Sequence, residues 1–131
     1  MIHLHGFLPK VECEDCSYTY EIGYNKLDTS NNICPRCSSK KIRPHIVMFG
    51  EMAPMYQKLE EELYDCELFV VIGTSGNVIG VNTIANFVEK SILNNLEPSD
   101  AIEEELFDIV LYQKASVAID TIAFEIEKFL D

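Results

Sequence analysis

Two cysteine pairs with identical internal spacing constrain this chain more than any other feature of its sequence. Cys13/Cys16 and Cys34/Cys37 each form a Cys-x-x-Cys motif in a chain that carries no recognisable export signal. A disulfide framework would not require this spacing, whereas two such pairs are the usual way to place four thiolates tetrahedrally around zinc. We therefore expect a zinc-ribbon module over residues 10–42, with redox-active or unligated cysteines as the alternatives.

The segment between the two pairs supports a ribbon. Tyr18, Tyr20 and Ile22 alternate as in a short strand, and the sequence then turns polar as in a loop. Such a module has little hydrophobic core, so bound metal would supply much of its folding free energy, on the order of 10 kcal/mol in small zinc peptides. Four thiolates leave zinc no open position, and we therefore expect the metal to be structural.

Size and charge narrow the class of protein. The 131 residues are 47% hydrophobic, which suits one domain with a real core. A formal charge of −12 opposes binding to nucleic acid or to an anionic membrane, since both depend on lysine and arginine meeting phosphate. The longest apolar run, Leu68–Ile72, is too short to span a bilayer. We expect a soluble, cytoplasmic protein with a basic partner or substrate.

Helices and strands alternate in the second part of the chain. A helix is predicted after Pro54, with these apolar positions on one side: Tyr56, Leu59, Leu63 and Cys66, the last expected to be a buried thiol. Leu68–Ile72 predicts a strand buried on both faces. A glycine-containing loop follows, and then a helix with these residues on one side: Ile84, Phe87, Val88 and Ile92.

The alternation continues to the C-terminus. The stretches ILNN and FDIVLY predict short strands. A final helix carries apolar residues at helical spacing, with Ser116 as its N-cap: Ile119, Ile122, Ile126 and Phe129. The predicted fold class is α/β, a partial Rossmann-like parallel sheet with helices over residues 43–131, together with the inserted zinc ribbon.

Three further motifs allow both a functional and a structural interpretation. The loop Gly73–Gly76 follows a strand, where Rossmann-like folds bind ligands, but such loops are as often tight turns. Asn95 and Glu97 follow the next strand and could equally form a polar turn. His3 and His5 would share one face of a strand, where a histidine is more often structural than catalytic, and a mixed His/Cys metal site is a further alternative.

Taken together, these motifs resemble one enzyme family. LHG, CEDC, CPRC, RPHIVMFGE, VIGTSGNV, NLEPS and KAS occur in the order of the sirtuins, the NAD-dependent protein-lysine deacylases, and several are similar to the bacterial members. The resemblance covers essentially the whole chain. It implies zinc as a structural metal, NAD as the small-molecule partner, acyl-lysine proteins as substrates, and nicotinamide and O-acyl-ADP-ribose as products.

The resemblance also implies roles for individual residues. His5 matches the general base that activates a hydroxyl of the nicotinamide ribose, a task suited to an imidazole. The four paired cysteines match the zinc ligands. The positions matching NAD contacts are Gly73, Thr74, Ser75, Asn95, Leu96, Glu97 and Ala115. The positions matching the segments that hold a substrate peptide as an added strand are Val47, Phe49, Gly50, Glu51, Gly76, Asn77 and Val78.

Some family motifs are not found in this sequence. We identify no Gly-Ala-Gly-x-Ser phosphate loop and no Gln-Asn-x-Asp nicotinamide motif, and the chain starts where the second half of the catalytic domain would. Met48 and Gly80 also depart from the family pattern. We expect weak or absent deacylation by this chain alone, with an N-terminal half or a second copy covering an exposed sheet edge. Two alternatives are a non-catalytic, zinc-stabilised peptide-binding module and, opposed by the charge, a zinc-ribbon nucleic-acid binder.

Overall fold

The computed structural model describes residues 1–28, 30–48 and 50–131. The chain divides into two compact units, Met1–Glu62 and Leu63–Asp131, called here the first and second units. Phe49, one of the predicted substrate contacts, lies outside the described residues. None of the helices in the described ranges is long and apolar enough to cross a membrane.

The first unit is built on a small antiparallel sheet. Its strands are β1 (Gly6–Cys13), β2 (Thr19–Glu21) and β3 (Ile42–Ile46), in the order β2-β1-β3. Strand β2 confirms the strand predicted from the alternating tyrosines. The buried cluster of this unit is small and consists of Val11, Cys13, Cys34 and Ile42. Helix α1 follows over Met55–Leu63 and confirms the helix predicted after Pro54.

Strand β1 begins with a glycine that the packing requires. Gly6 has a φ of +90°, a conformation that is rarely open to other residues. A Cβ at this position would lie 2.2 Å from the carbonyl oxygen of His45 on β3. The Gly6 N–H donates to the carbonyl of His3 (3.1 Å), so His3 and His5 lie in a turn before β1. The strand considered for the two histidines is therefore wrong, because β1 begins only at Gly6, after the turn.

The second unit contains a parallel sheet with helices, as predicted. Its strands are β4 (Leu68–Ile72), β5 (Lys90–Asn95) and β6 (Ile109–Tyr112), in the order β4-β5-β6. The other elements are α2 (Val81–Ala85), a short 3-10 helix (Glu104–Leu106) and α3 (Ala115–Leu130). The strands predicted in ILNN and FDIVLY are confirmed as β5 and β6.

Strand β5 forms the centre of the second unit. Ile92 and Leu93, on opposite faces of β5, are both fully buried. Leu93 packs with Val71 and the α2 residues, while Ile92 packs with Ala118 and Ile122 of α3. Burial on both faces was predicted for β4, yet only Val71 of that strand is fully buried. The prediction fits β5 better because α2 covers one face of β5 and α3 covers the other.

Two helix predictions differ from the structure. The helix drawn through Ile92 ends at Ala85, Phe87 is 82% exposed, and Ile92 belongs to β5. Apolar residues on a short helix and on the next strand mimicked one long helical face. Cys66 lies beyond α1, is only half-buried and donates to the Leu68 carbonyl (3.2 Å).

The C-terminal helix is confirmed with two corrections. Lys114 occupies the N-cap position of α3, so Ser116 lies inside the first turn and is not the cap. The residues that α3 buries are Ala118 and Ile122, whereas Ile119 is 48% exposed. Ile122 and Ile126 of the predicted face do pack onto the sheet, so the prediction is wrong only at Ile119, and Ala118 is buried instead.

We predict that Gly6→Ala destabilises the first unit by about 3 kcal/mol, because it adds both backbone strain and a clash with the His45 carbonyl. Gly23→Ala is the matched control, since Gly23 also has a positive φ (+66°) but its Cβ would meet only a side-chain atom at 3.9 Å. Thermal unfolding of both variants measures the difference. Equal losses of stability would contradict the close approach at Gly6.

Candidate functional site

Four cysteine sulfur atoms converge in the first unit. The Sγ atoms of Cys13, Cys16, Cys34 and Cys37 all lie within 4.8 Å of one another. Cys13 and Cys37 are 3.5 Å apart and Cys16 and Cys34 are 3.6 Å apart, far longer than the roughly 2.05 Å of a disulfide. Sulfur atoms bound tetrahedrally at about 2.3 Å from zinc would be about 3.8 Å apart. The donor set and its spacing therefore fit a structural zinc ion.

The repeated sequence Cys-x-x-Cys-Ser builds the same turn twice. We call Cys13–Ser17 and Cys34–Ser38 the two knuckles. In each knuckle the serine N–H donates to the carbonyl of the first cysteine, at 2.8 Å and 2.9 Å respectively. Both serines have positive φ angles, +57° and +61°. This local geometry turns the two sulfur atoms of each motif toward the same point.

An acidic side chain joins the two knuckles. The Asp15 carboxylate accepts a hydrogen bond from the Ser39 hydroxyl (2.6 Å) and forms an ion pair with the Lys41 ammonium (3.1 Å). The hydrogen bond from Ser39, followed by that from Lys41, lowers the pKa of the Asp15 carboxyl. Asp15 thus holds the second knuckle against the first from outside the cluster of sulfur atoms.

Because the thiols lie close together, the pKa values of Cys34 and Cys37 shift in opposite directions. Burial opposes ionisation of Cys34, but hydrogen bonds from the N–H groups of Cys37 and Arg36 outweigh it and lower the pKa of Cys34 to about 7. The Ser39 N–H favours the Cys37 thiolate, yet the neighbouring sulfur atoms and burial raise the pKa of Cys37 to about 12. Without a cation the four thiols resist ionising together, and a divalent metal would remove that conflict.

His5 lies beside the first predicted substrate segment. Its carbonyl accepts a hydrogen bond from the Val47 N–H (2.8 Å), directly after β3. The imidazole is exposed and meets the ring of Tyr56 edge-on, with 6.2 Å between ring centroids. The imidazole is therefore accessible from solvent, beside the half-buried Val47.

A charged pair closes the loop that contains this segment. Arg43 donates two hydrogen bonds to the Glu51 carboxylate, at 2.9 Å and 3.2 Å, and the Met48 N–H donates to the same carboxylate (3.2 Å). The hydrogen bonds from Arg43, followed by that from Met48, lower the pKa of Glu51. Arg43 was not predicted as a site residue, although it is the first residue of the motif RPHIVMFGE and carries the opposite charge eight residues before Glu51.

The predicted NAD contacts of the second unit lie at the carboxyl edge of the parallel sheet. The Gly73 N–H donates to the Asn94 carbonyl (2.9 Å), and the Asn95 side chain bonds to both backbone groups of Thr74. Gly73 has a φ of +68°, and its missing Cβ would face open space. The structure therefore places Gly73, Thr74 and Asn95 together, next to an open surface.

The remaining predicted residues of this unit lie around that edge. The Ser99 hydroxyl donates to the Ser75 carbonyl (2.6 Å), and Ala115 begins α3 just after β6. Position 76 requires glycine, because a Cβ there would lie 2.6 Å from Ile102 Cγ1. The side chains of these predicted positions point to solvent: Asn77, Val78, Leu96 and Glu97. The two predicted substrate segments belong to different units, Val47 to Glu51 to the first and Gly76 to Val78 to the second.

Known proteins match this chain in sequence over nearly its whole length. The model of the Sir2 family matches residues 1–80. The chain belongs to the Sir2 family. Relatives named NAD-dependent protein deacylase include one from Campylobacter jejuni, 45% identical over 130 residues, and one from Helicobacter hepaticus, 39% identical over 138 residues. The alignments cover 99% and 98% of this chain but only 54% and 53% of the relatives, so the chain spans about half their length.

Solved structures of Sir2 homologues share the fold of this Sir2 family chain. A Sir2 homologue in complex with NAD matches with a TM-score of 0.77 and 27% identity, over 99% of this chain and 52% of the homologue. A Sir2 homologue in complex with ADP-ribose gives the same score and identity over 98% and 53%. These matches confirm the α/β fold with a cysteine-rich ribbon.

We predict that Cys34→Ser abolishes zinc retention by this Sir2 family chain and lowers the melting temperature of the first unit by about 10 °C or more, since three sulfur ligands bind the metal less tightly. Cys66→Ser is the matched control, because Cys66 lies outside the cluster. Zinc analysis of the purified protein and thermal melting measure both effects. Unchanged zinc content in Cys34→Ser would contradict the site.

Proposed function

We propose that this chain forms part of an NAD-dependent protein-lysine deacylase. It would carry the structural zinc site, the general base and the loops that bind the adenosine end of NAD. Family membership supports this proposal, as do the relatives named NAD-dependent protein deacylase. Because the chain spans about half the length of these relatives, the rest of the NAD site would come from residues outside it.

One observation carries the catalytic part of the proposal. The hydrogen bond from the Val47 N–H to the His5 carbonyl (2.8 Å) holds an exposed imidazole at the start of the segment proposed to bind the substrate peptide. In the proposed reaction the acyl oxygen of the substrate lysine displaces nicotinamide from C1′ of the ribose. His5 then accepts the proton of a ribose hydroxyl, which becomes the nucleophile toward the acyl group.

The segments proposed for the peptide contain exposed residues. Val47 and Gly50 lie in a stretch that follows β3, and Asn77 and Val78 are exposed in the second unit. An extended peptide bound through backbone hydrogen bonds needs little sequence specificity beyond its modified lysine. The net charge of −12 would favour lysine-containing, basic protein segments.

Zinc and NAD would have separate tasks. The four cysteines would hold zinc in a closed site that stabilises the first unit and leaves no position for a reactant. Gly73, Thr74 and Ser75, with Asn95 and Glu97, would bind the adenosine end of NAD at the carboxyl edge of the sheet, where parallel α/β folds bind ligands. NAD would be consumed as a substrate, and His5 would act on its nicotinamide ribose.

A chimera tests the proposal. We would join this chain to the remaining half of the Campylobacter jejuni deacylase and measure nicotinamide release with NAD and an acetyl-lysine or succinyl-lysine peptide. We expect peptide-dependent release that falls at least about 100-fold in His5→Ala, because the general base is lost. His3→Ala is the matched control, since His3 is also exposed before β1 but stacks on Phe7.

Two results would contradict the proposal that this chain forms part of a deacylase. One is a zinc-loaded, cooperatively melting chimera without nicotinamide release, and the other is equal activity in His5→Ala and the unmodified chimera. Calorimetric titration of the 131-residue chain with ADP-ribose and with an acyl-lysine peptide adds a separate measurement. Peptide binding without ADP-ribose binding would favour the non-catalytic peptide-binding module.

A further inference from the structure

We propose that Asn95 is a positioning residue that shapes the Gly73–Ser75 loop through its side chain. The resemblance to sirtuins assigns Asn95 to the ligand as a contact. In the structure Asn95 is buried, with 6% of the residue exposed, and its side-chain amide is hydrogen-bonded to the backbone of the loop. The ligand at this edge would be the adenosine end of NAD, so the ligand part of this inference rests on the proposed function.

The bonding of the amide is complementary at two points. The Asn95 Oδ1 accepts from the Thr74 N–H (2.9 Å), and the Asn95 Nδ2 donates to the Thr74 carbonyl (2.8 Å). Both backbone groups of Thr74 are thus satisfied by one side chain. This pairing replaces the strand partner that Thr74 loses where β4 ends, since a backbone amide and carbonyl removed from water need partners.

Asn95 also bonds to the loop that follows β6, through its backbone. Its own carbonyl accepts from the Gln113 N–H (2.9 Å), just after β6. The neighbouring Asn94 is 1% exposed and donates to the carbonyls of Leu111 (2.8 Å) and Gln113 (2.9 Å). Two consecutive asparagines at the end of the central strand therefore bind the loops that follow β4 and β6.

Only asparagine satisfies the Thr74 backbone in this way. Aspartate is nearly the same shape but cannot donate to the Thr74 carbonyl, and a carboxylate oxygen would face that carbonyl at about the distance of the present hydrogen bond. Alanine leaves both backbone groups without their partner. In the unmodified protein the exposed groups of the loop, Gly73 with its open face and the Ser75 side chain, are accessible to the ligand.

Hydrogen exchange of the 131-residue chain, followed by NMR, tests the positioning role without any ligand. In the unmodified protein we expect slow exchange of the Thr74 amide and of the Asn95 side-chain amide. In Asn95→Asp and Asn95→Ala we expect the Thr74 amide to exchange at least about tenfold faster, while Ile92 and Leu93 change little. Asn86→Asp is the matched control, since it adds the same charge at an exposed position of the second unit.

Titration with ADP-ribose adds the functional readout. We expect ligand-induced shifts at Gly73 and Ser75, and an affinity about tenfold weaker in Asn95→Asp but unchanged in Asn86→Asp, because a disordered loop must be ordered on binding. Absence of ADP-ribose binding by the unmodified chain would count against its proposed nucleotide site, while the exchange data would still decide the role of Asn95.

Three results would overturn the inference. The first is fast exchange of the Thr74 amide in the unmodified protein, and the second is an unchanged rate in both Asn95 variants. The third is a ligand-induced shift of the Asn95 side-chain amide with none at Gly73 or Ser75, which would make Asn95 a direct contact. The first of these needs no variant, so a variant that fails to fold does not prevent the decision.

Discussion

The convergence of four cysteine sulfur atoms is the contact on which the first unit depends. Among the described residues its buried cluster consists of Val11, Cys13, Cys34 and Ile42, so two of these core residues are themselves sulfur donors. A core of this size stabilises little by apolar burial, and a bound metal would supply the missing cohesion. Strand β1 connects this cluster at Cys13 with the turn at Gly6, so the cysteines also help to set the position of His5.

The second unit depends on a different constraint, the hydrogen bonding of backbone groups where parallel strands end. Loops that leave such strands lose their ladder partners, and polar side chains at the carboxyl edge must replace them. Asn94 and Asn95 do so for the loops after β6 and β4. The edge that binds ligands in this class of fold is therefore also the edge where side-chain amides support the backbone.

Sequence patterns predicted the local features well and the ends of elements less well. The paired cysteines and the run Leu68–Ile72 are local signals, and both lie where they were expected. The helix drawn through Ile92 failed because apolar spacing cannot separate a short helix followed by a strand from one continuous helix. Ser116 failed as a cap because the start of α3 depends on where β6 ends and the chain turns.

The sequence by itself determined the two cysteine pairs, the glycine loop after β4 and the resemblance to sirtuins, because each consists of motifs whose residues lie close together along the chain. Only the tertiary structure decided what distant residues do to one another. It placed Val47 against His5, paired Arg43 with Glu51 and turned Asn95 toward Thr74. These contacts arise from strand register and from backbone groups that need hydrogen-bond partners. Neither can be predicted from the spacing of residue types along the chain.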